Sequence, residues 1–270
     1  MVVKEKVNIA YLIDTISCDT AGTQKQLLET IRRLDRNSFE PWLICLWQSD
    51  WMVQHKLPCP CIVLGYHGFM KLSFPGIVRY LAKIVEEKRF HIVQTFFEDS
   101  IFVGFFAKIL AKVPFVLLSS RRDMGLGREN QPWYHSLFAL ALPWVNRHFA
   151  GIIANSEQVR FYAAKREKTD IKRIIVIRNG VVIPERSPVL PALFGNDPDE
   201  TIWIGLVASL TPVKRHDVLI KAVAQLKLKN ITHKFKILLI GEGPERDNLM
   251  SLAAELDLQN HIYFAGAVKD

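Results

Sequence analysis

The stretch of sequence that decides the fold is IWIGLVASLTPVKRHDVLIKAVAQLK, residues 202–227. Its first part, Ile202–Val207, is an apolar run that predicts a buried strand. Its last part, Asp217–Lys227, repeats apolar residues at helical spacing, which predicts an amphipathic helix. A strand, a turn and a helix in succession form the repeating unit of a parallel sheet covered by helices. The stretch therefore predicts an α/β fold.

The same alternation of strands and helices runs outward from this stretch in both directions. Buried strands are predicted before it at Val7–Ile13, Trp42–Trp47, Cys61–Leu64, Ile92–Thr95, Phe115–Leu118, Gly151–Ala154 and Arg173–Ile177. After it we expect a strand at Lys236–Ile240, a helix at Pro244–Leu256 and a strand at His261–Phe264.

A break in this alternation predicts a boundary between two domains. Residues 184–200 contain four prolines and Gly195, a composition that ends regular structure. We therefore predict two Rossmann-like domains, residues 1–184 and 185–270. The second has only three candidate strands and looks incomplete, so we expect the apolar residues of its last helical segment to lack partners. These residues are Leu249, Leu252, Leu256 and Leu258.

Composition sets the broad class of the protein. The chain has 270 residues, of which 49% are hydrophobic, enough for a sizeable core. Lys108 and Lys112 interrupt the longest apolar run, which falls short of the roughly 18 residues that span a bilayer. The N-terminus lacks a signal-type cleavage pattern, so we expect a cytoplasmic protein. Four cysteines are expected to be buried thiols, because Cys59-Pro60-Cys61 has no second ligand pair at zinc spacing.

Positive charge is concentrated in one part of the chain. The net charge is +8, and residues 121–178 contain eleven Lys and Arg against five Asp and Glu. Solvated helix faces explain this excess as well as an anionic acceptor or membrane surface does. One predicted helical stretch combines aromatic and basic residues, which indicates either peripheral contact with an anionic membrane or a core helix interrupted by Pro143. These residues are Trp133, Tyr134, Phe138, Trp144, Arg147 and His148.

Three turns are candidates for ligand binding, because ligands of parallel sheets bind where the strands end. The first contains Gly22, a small residue that lets the backbone approach a phosphate. The second places Lys214 and Arg215 just before a helix, where cations are unfavourable unless an anion lies between. The third, Gly241–Pro244, combines glycines with a proline suited to a helix start. We expect all three to border one cleft.

Longer blocks of sequence resemble a known family. Val207–Ile220, VASLTPVKRHDVLI, resembles the donor-phosphate motif of the retaining enzymes of glycosyltransferase family 4, the glycosyl transferases group 1. The block Leu238–Gly266, LLIGEGPERDNLMSLAAELDLQNHIYFAG, resembles the family's next motif almost throughout. Residues 21–24 and the segments IIANSEQVR (152–160) and VIRNGVV (176–182) are similar to its N-terminal blocks.

The resemblance implies a fold, a reaction and a set of partners. The fold is the GT-B type, with two Rossmann-like domains. The reaction moves a sugar from a nucleotide-diphosphate sugar to an acceptor hydroxyl with retention, in glycan, polysaccharide or glycolipid biosynthesis. The acceptor is a glycan or a lipid-linked molecule, and neither a metal, a further cofactor nor a nucleic acid is required.

Roles for individual residues follow from the same resemblance. Lys214 is the catalytic residue, because it matches the lysine that binds the donor diphosphate and supports its departure. The expected donor-binding residues are Gly22, Ser209, Lys214, Arg215, Gly241, Gly243, Ala267 and Val268, the last two near the nucleotide base. On the acceptor side, Arg121, Arg122 and Asp123 follow a strand and are candidates for contacts to the acceptor or its phosphate, although a solvated loop explains them equally well.

The sequence also departs from the family pattern. Ser209 stands where an arginine is common, Ala21 where a second glycine is common, and Gln24 where a glutamate is common. The family's paired glutamates would lie beyond Asp270, so we expect this chain alone to be inactive. The alternative function is a truncated, non-catalytic relative with a binding or scaffold role. A third option, a nucleic-acid-binding module, is supported by the net charge alone. The sequence motifs of other enzyme classes are absent from this chain.

Overall fold

The structure is a computed structural model that describes residues 5–20, 22–123, 134–181, 202–229 and 235–268, without the side chains of 134–136. These residues form two compact units, 5–181 and 202–268. The predicted domain boundary at Pro184–Glu200 lies outside the described residues. The predicted α/β class is confirmed, with a seven-stranded and a three-stranded parallel sheet.

The first unit has seven parallel strands in the order β3-β2-β1-β4-β5-β6-β7. The strands are β1 (Val7–Ile13), β2 (Phe39–Cys45), β3 (Cys61–Val63), β4 (Ile92–Phe96), β5 (Val116–Arg121), β6 (Gly151–Ala154) and β7 (Ile174–Val176). The helices are α1 (Gly22–Arg33), α2 (Asp50–Gln54), α3 (Phe74–Glu87), α4 (Glu98–Leu110), α5 (Tyr134–Val145) and α6 (Glu157–Arg166).

The order of the strands creates a crevice in the first unit. The chain proceeds from β1 to β2 and β3 on one side, then returns to add β4 on the other side of β1. Helices that leave β1 and β4 therefore diverge, which opens a crevice at the carboxyl ends of these strands. The turn that contains Gly22 follows β1, so it lies beside this switch point.

Both faces of this sheet are buried because residues along each strand alternate between two cores. In β1, Ala10 and Leu12 face one core, while Ile9, Tyr11 and Ile13 face the other. Helices α3, α4 and α5 cover the first face, and α1 and α2 cover the second.

Pairing between strands explains where the predicted strand ends were wrong. β2 was expected at Trp42–Trp47 but spans Phe39–Cys45. Its register with β1 pairs Val7 with Phe39 and Ile13 with Cys45, so the two strands begin and end together. Apolar character alone cannot reveal this limit, because Leu46 and Trp47 continue the run past the end of the ladder.

The second unit has three parallel strands in the order β10-β9-β8. Its elements are β8 (Ile202–Val207), α7 (His216–Leu228), β9 (Phe235–Ile240), α8 (Arg246–Glu255) and β10 (Ile262–Gly266). Leu249 and Leu258 are buried together with Ile220 and Val223 of α7. The expectation that these leucines would lack partners is therefore wrong, because α7, α8 and the sheet enclose one core.

Within the described ranges, no helix is both long enough and apolar enough to cross a membrane.

Candidate functional site

Three turns are joined at the carboxyl ends of the strands in the second unit. They are residues 208–215, 241–245 and 266–268, and Val207, Ile240 and Gly266 stand level in the sheet. The N–H groups of Ala208 and Gly241 donate to the carbonyls of Ile240 and Gly266 at 3.0 and 2.8 Å. All of the predicted donor-binding residues from Ser209 onward therefore lie at one edge of this sheet.

Close packing between the turns explains two of the glycines. A Cβ on Gly241 would lie less than 3.0 Å from the Ala208 carbonyl, and one on Gly243 would meet the backbone of Leu210 in the same way. Gly241 also has φ +147°, a conformation that L side chains rarely adopt. These two glycines thus let the backbone at 208–210 come close. Their contribution to a ligand site is to fix the shape of the turn.

Lys214 lies in the 208–215 turn, at the end of a short 3₁₀ helix that spans Pro212–Lys214. Its backbone N–H donates to the Thr211 carbonyl at 3.0 Å, while its side chain is exposed. Across the described part of the chain, no acidic group or hydrogen-bond acceptor contacts its ammonium group. Lys214 therefore presents an uncompensated positive charge just before α7.

Arg215 follows Lys214 but its charge is balanced. Its Nε and Nη2 atoms donate to the two carboxylate oxygens of Asp217 at 3.0 and 3.2 Å. The hydrogen bond from Arg215 lowers the pKa of Asp217 to about 2, and Lys221 contributes from 3.5 Å. The backbone of Arg215 is left-handed, with φ 53° and ψ 42°. The Arg215 guanidinium is thus engaged with Asp217 in the structure.

His216 is a notable residue of this site that the sequence reading did not single out. It is the first residue of α7 and is only 2% exposed. Neither ring nitrogen has a hydrogen-bond partner within the described ranges. Burial lowers the pKa of His216, and Lys214 lowers it further while Asp217 opposes the shift. His216 stands four residues before the buried Ile220 and seven before the buried Val223. This helical spacing could have predicted that His216 lies on the core face of α7.

In the first unit, Gly22 begins α1 after β1. A Cβ on Gly22 would find no atom within 4 Å, so the space beside it is open. Gln24 stabilises the loop before the helix: its Oε1 accepts hydrogen bonds from the N–H groups of Ser17 and Cys18 at 2.9 and 3.1 Å. An amide oxygen at this position therefore closes the loop without the charge of a glutamate.

The structure does not support Arg121 as an acceptor-binding residue. Its side chain is buried and forms an ion pair with Glu167 at 2.7 Å, with further hydrogen bonds to Asn146 and Ser119. All of its guanidinium nitrogens are thus used inside the first unit. Two consecutive arginines in the sequence do not reveal this burial. Successive side chains of a strand point to opposite faces of the sheet, and in β5 the side chain of Arg121 points inward.

Arg122 and Asp123 differ from Arg121 in their surroundings. The guanidinium of Arg122 lies 5.5 Å from the centre of the Phe96 ring and donates to Asn179 Oδ1 at 2.9 Å. Burial lowers the pKa of Arg122, and its Nε has no partner in the described ranges. Asp123 is exposed. Arg122 therefore remains the candidate cation at the carboxyl edge of the first sheet.

The helix α5 carries an exposed apolar stripe. Leu137, Leu140 and Trp144 are spaced by three and four residues and are 52%, 78% and 53% exposed. Arg147 and His148 follow and are exposed as well. Phe138, which was expected on this surface, is instead buried against Phe102. Trp133 and the Tyr134 side chain lie outside the described residues.

The cysteines are free thiols, of which Cys45 is fully buried. The described residues contain no group of three or more His, Cys, Asp or Glu side chains that could hold a metal ion.

Comparisons with known proteins place both units among sugar-transferring enzymes. Residues 21–180 match the family model of the glycosyl transferase 4-like domain, and residues 194–270 match that of the glycosyl transferases group 1. No curated protein matches the chain in sequence.

Several solved structures share the fold at low sequence identity. The Anabaena protein Alr3699/HepE, solved in complex with UDP, is 18% identical with a TM-score of 0.72, over 97% of this chain and 70% of its own. A glycosyltransferase from Rickettsia africae is 20% identical with a TM-score of 0.73, over 99% and 70%. Sucrose-phosphate synthase from Thermosynechococcus elongatus is 16% identical with a TM-score of 0.73, over 98% and 71%.

Proposed function

Because the chain belongs to the family of the glycosyl transferase 4-like domain and is thus a glycosyltransferase, we propose that it transfers a sugar with retention from a nucleotide-diphosphate sugar to an acceptor hydroxyl. The observation that supports this reaction best is the exposed Lys214, whose charge is not balanced by any described residue. The group 1 match of the second unit and the resemblance to glycosyltransferase family 4 support the donor and the stereochemistry.

The donor diphosphate is proposed to bind at the carboxyl edge of the second sheet. Helix α7 begins there, and the first N–H groups of a helix have no partners inside it and attract anions. Lys214 adds a full charge beside these N–H groups. A cation placed where the leaving diphosphate gains charge stabilises the transition state more than the ground state, which accelerates transfer.

Other predicted residues have supporting roles in this proposal. Ser209, Gly241 and Gly243 shape the turns, while the exposed Ala267 and Val268 are placed to contact the nucleotide base. The relatives solved with UDP and UDP-glucose make uridine the first base to test. We propose that no metal or further cofactor is required, since Lys214 supplies the positive charge.

The acceptor is proposed to bind at the carboxyl edge of the first sheet, beside Arg122, which offers a partly buried cation to an acceptor phosphate. Gly22 keeps the donor-binding role that the resemblance implies, and the space beside it is open. The acceptor class is a glycan or a lipid-linked molecule used in glycan, polysaccharide or glycolipid biosynthesis. The exposed stripe of α5 supports a cytoplasmic protein that binds peripherally to the inner membrane face.

The donor site is tested by replacing Lys214. We expect Lys214→Ala to reduce transfer by about 10²–10³-fold, the usual effect of removing one transition-state stabiliser. Lys214→Arg should restore little of the transfer activity, because the planar guanidinium of arginine differs in geometry from the compact ammonium of lysine. The measurements are UDP affinity and sugar release from UDP-sugars, with an extended form of the protein if the chain itself turns over none.

The matched control is Lys221→Ala, since Lys221 lies in the same segment but pairs with Asp217. We expect it to leave affinity and transfer unchanged. Equal turnover in Lys214→Ala and wild type would remove Lys214 from the reaction. Nucleotide-sugar binding without transfer in any form of the protein would favour the alternative of a non-catalytic binding protein.

A further inference from the structure

His216 is buried at the carboxyl edge of the second sheet, without a polar partner among the described residues. Its side chain is 2% exposed, and both Nδ1 and Nε2 lack hydrogen-bond partners within the described ranges. A neutral imidazole carries one donor and one acceptor, and a buried polar atom left unpaired loses its hydrogen bonds to water without replacement. Leucine or phenylalanine would fill the same space without this cost, so packing alone does not explain a histidine here.

The position of His216 connects the ring to the proposed donor site. It is the first residue of α7, so its ring and the free N–H groups of the helix start belong to the same turn. Lys214 and Asp217 are the charged groups whose fields act on the ring, one on each side in sequence. The buried imidazole and the proposed diphosphate site therefore share the first turn of α7.

The segment before His216 has an unfavourable local conformation. Arg215 adopts a left-handed backbone conformation, which is disfavoured for a residue other than glycine. The preceding Pro212–Lys214 turn is a short 3₁₀ helix, whose hydrogen bonds have poor geometry. Two adjacent residues, Arg215 and His216, thus carry unfavourable features that a rearranged turn could relieve together.

We propose that His216 is a positioning residue for the donor: when the turn at Thr211–Arg215 rearranges around a bound diphosphate, the imidazole N–H donates a hydrogen bond to a phosphate oxygen. This inference rests on the proposed function. The ring then orients the diphosphate against Lys214 and the start of α7. The bound phosphate thereby supplies a partner that the described residues do not give the imidazole.

The first experiment follows the His216 ring in the wild-type chain by ¹⁵N NMR during titration with inorganic pyrophosphate and with UDP. We expect the His216 ring nitrogens to shift on binding. The ring of His261, whose Nδ1 faces the Phe235 carbonyl at 3.2 Å at the opposite edge of the same sheet, is the internal control and should not shift. Unchanged ¹⁵N shifts of the His216 ring under saturating pyrophosphate would overturn the inference. This test uses the wild-type chain, so it does not depend on the folding of a variant.

The second experiment compares two variants by pyrophosphate affinity. His216→Phe keeps the ring volume but removes the donor, and we expect about tenfold weaker binding, the effect of losing one hydrogen bond to a charged group. His216→Gln keeps an N–H donor and should recover part of this loss. Wild-type affinity in His216→Phe would contradict the proposed contact.

The two proposals fail in different ways. If the wild type binds neither pyrophosphate nor UDP, the proposed function and the inference fall together. If it binds both, and Lys214→Ala weakens binding while His216→Phe does not and the ring resonance stays still, only the inference on His216 is wrong.

Discussion

At the scale of single residues, burial and pairing decide whether a cation can serve a ligand. Arg121 and Lys214 were both predicted to contact substrates, yet Arg121 is enclosed with Glu167, whereas Lys214 is exposed and uncompensated. Burial alone would raise the pKa of Glu167, but attraction to Arg121 and hydrogen bonds from Arg121 and Asn146 outweigh it and lower the pKa. The charge of Arg121 is therefore compensated inside the first unit.

We predict that Arg121→Met destabilises the first unit by about 3–5 kcal/mol, because it leaves the Glu167 carboxylate buried without a counter-charge. Chemical denaturation monitored by circular dichroism measures this change. Arg32→Met is the matched control: Arg32 pairs with Glu29 at 2.6 Å on the surface, where such pairs contribute less than about 1 kcal/mol. Equal stability of the two variants would show that the buried pair is not structural.

The lowered pKa of Glu167 also predicts a pH dependence. Its contribution to stability is fully present above the ordinary glutamate pKa of 4.5 and is lost as the pH falls through the lower folded value. We expect the free energy of unfolding of the wild type to decrease below about pH 4.5. In the double variant Arg121→Met/Glu167→Leu this part of the decrease should disappear, whereas an identical acid profile would exclude Glu167 as its source.

At the scale of secondary-structure elements, the second unit depends on how closely its turns pack. The 208–210 and 241–243 turns meet backbone to backbone, and the Leu210 N–H donates to the Glu242 carbonyl at 2.9 Å. Only glycine fits at 241 and 243, because a Cβ at either position would overlap backbone atoms that cannot rotate away. The 241–245 turn is therefore tightly packed against residues 208–210, whereas Arg215, at the end of the 208–215 turn, has a left-handed backbone.

We predict that Gly241→Ala and Gly243→Ala each destabilise the second unit by about 1–3 kcal/mol through overlap and backbone strain. Gly205→Ala in β8 is the control, since a Cβ there meets no atom within 4 Å. Limited proteolysis of the whole chain, with cleavage followed within residues 202–268, reports the stability of this unit. If the alanine variants resist protease as wild type does but lose UDP binding, the glycines serve the ligand and not the fold.

At the scale of the whole molecule, the surface of the first unit indicates where a membrane would bind. The apolar stripe of α5 lies on the sheet face covered by α3, α4 and α5, whereas the opposite face carries α1 and α2. Exposed cations follow the stripe at Arg147 and on α3 at Arg79. Apolar side chains next to cations suit the boundary of an anionic bilayer.

We predict that the protein binds vesicles that contain anionic lipid more strongly than neutral vesicles, and that added salt weakens this binding. Leu140→Ser with Trp144→Ser should reduce cosedimentation with the anionic vesicles several-fold. Val53→Ser in α2 removes an equally exposed apolar side chain from the opposite face and should have no effect. Equal partitioning of the wild type onto neutral and anionic vesicles at low salt would contradict membrane binding.

Much of the architecture was predictable from local pattern. Every strand predicted in the two halves of the chain is present, and β1, β6 and β8 have the predicted bounds. Their apolar runs are long enough, and the turns between them distinctive enough, for neighbouring residues alone to specify an element. The local pattern also placed Lys214 just before a helix, and its catalytic role stays a prediction that rests on the family resemblance.

The sequence by itself thus determined the α/β class, the succession of elements and the turns that carry Lys214 and Gly22, since these features depend on residues close together in the chain. Only the tertiary structure decided that Arg121 pairs with Glu167 and that Gly241 and Gly243 accommodate the backbone at 208–210. It also decided that His216 is buried and finds no hydrogen-bond partner in the part of the chain that is described. The physical reason is that burial, ion pairing and close backbone contact depend on groups that are distant in sequence. No local pattern records which groups the folded chain brings together.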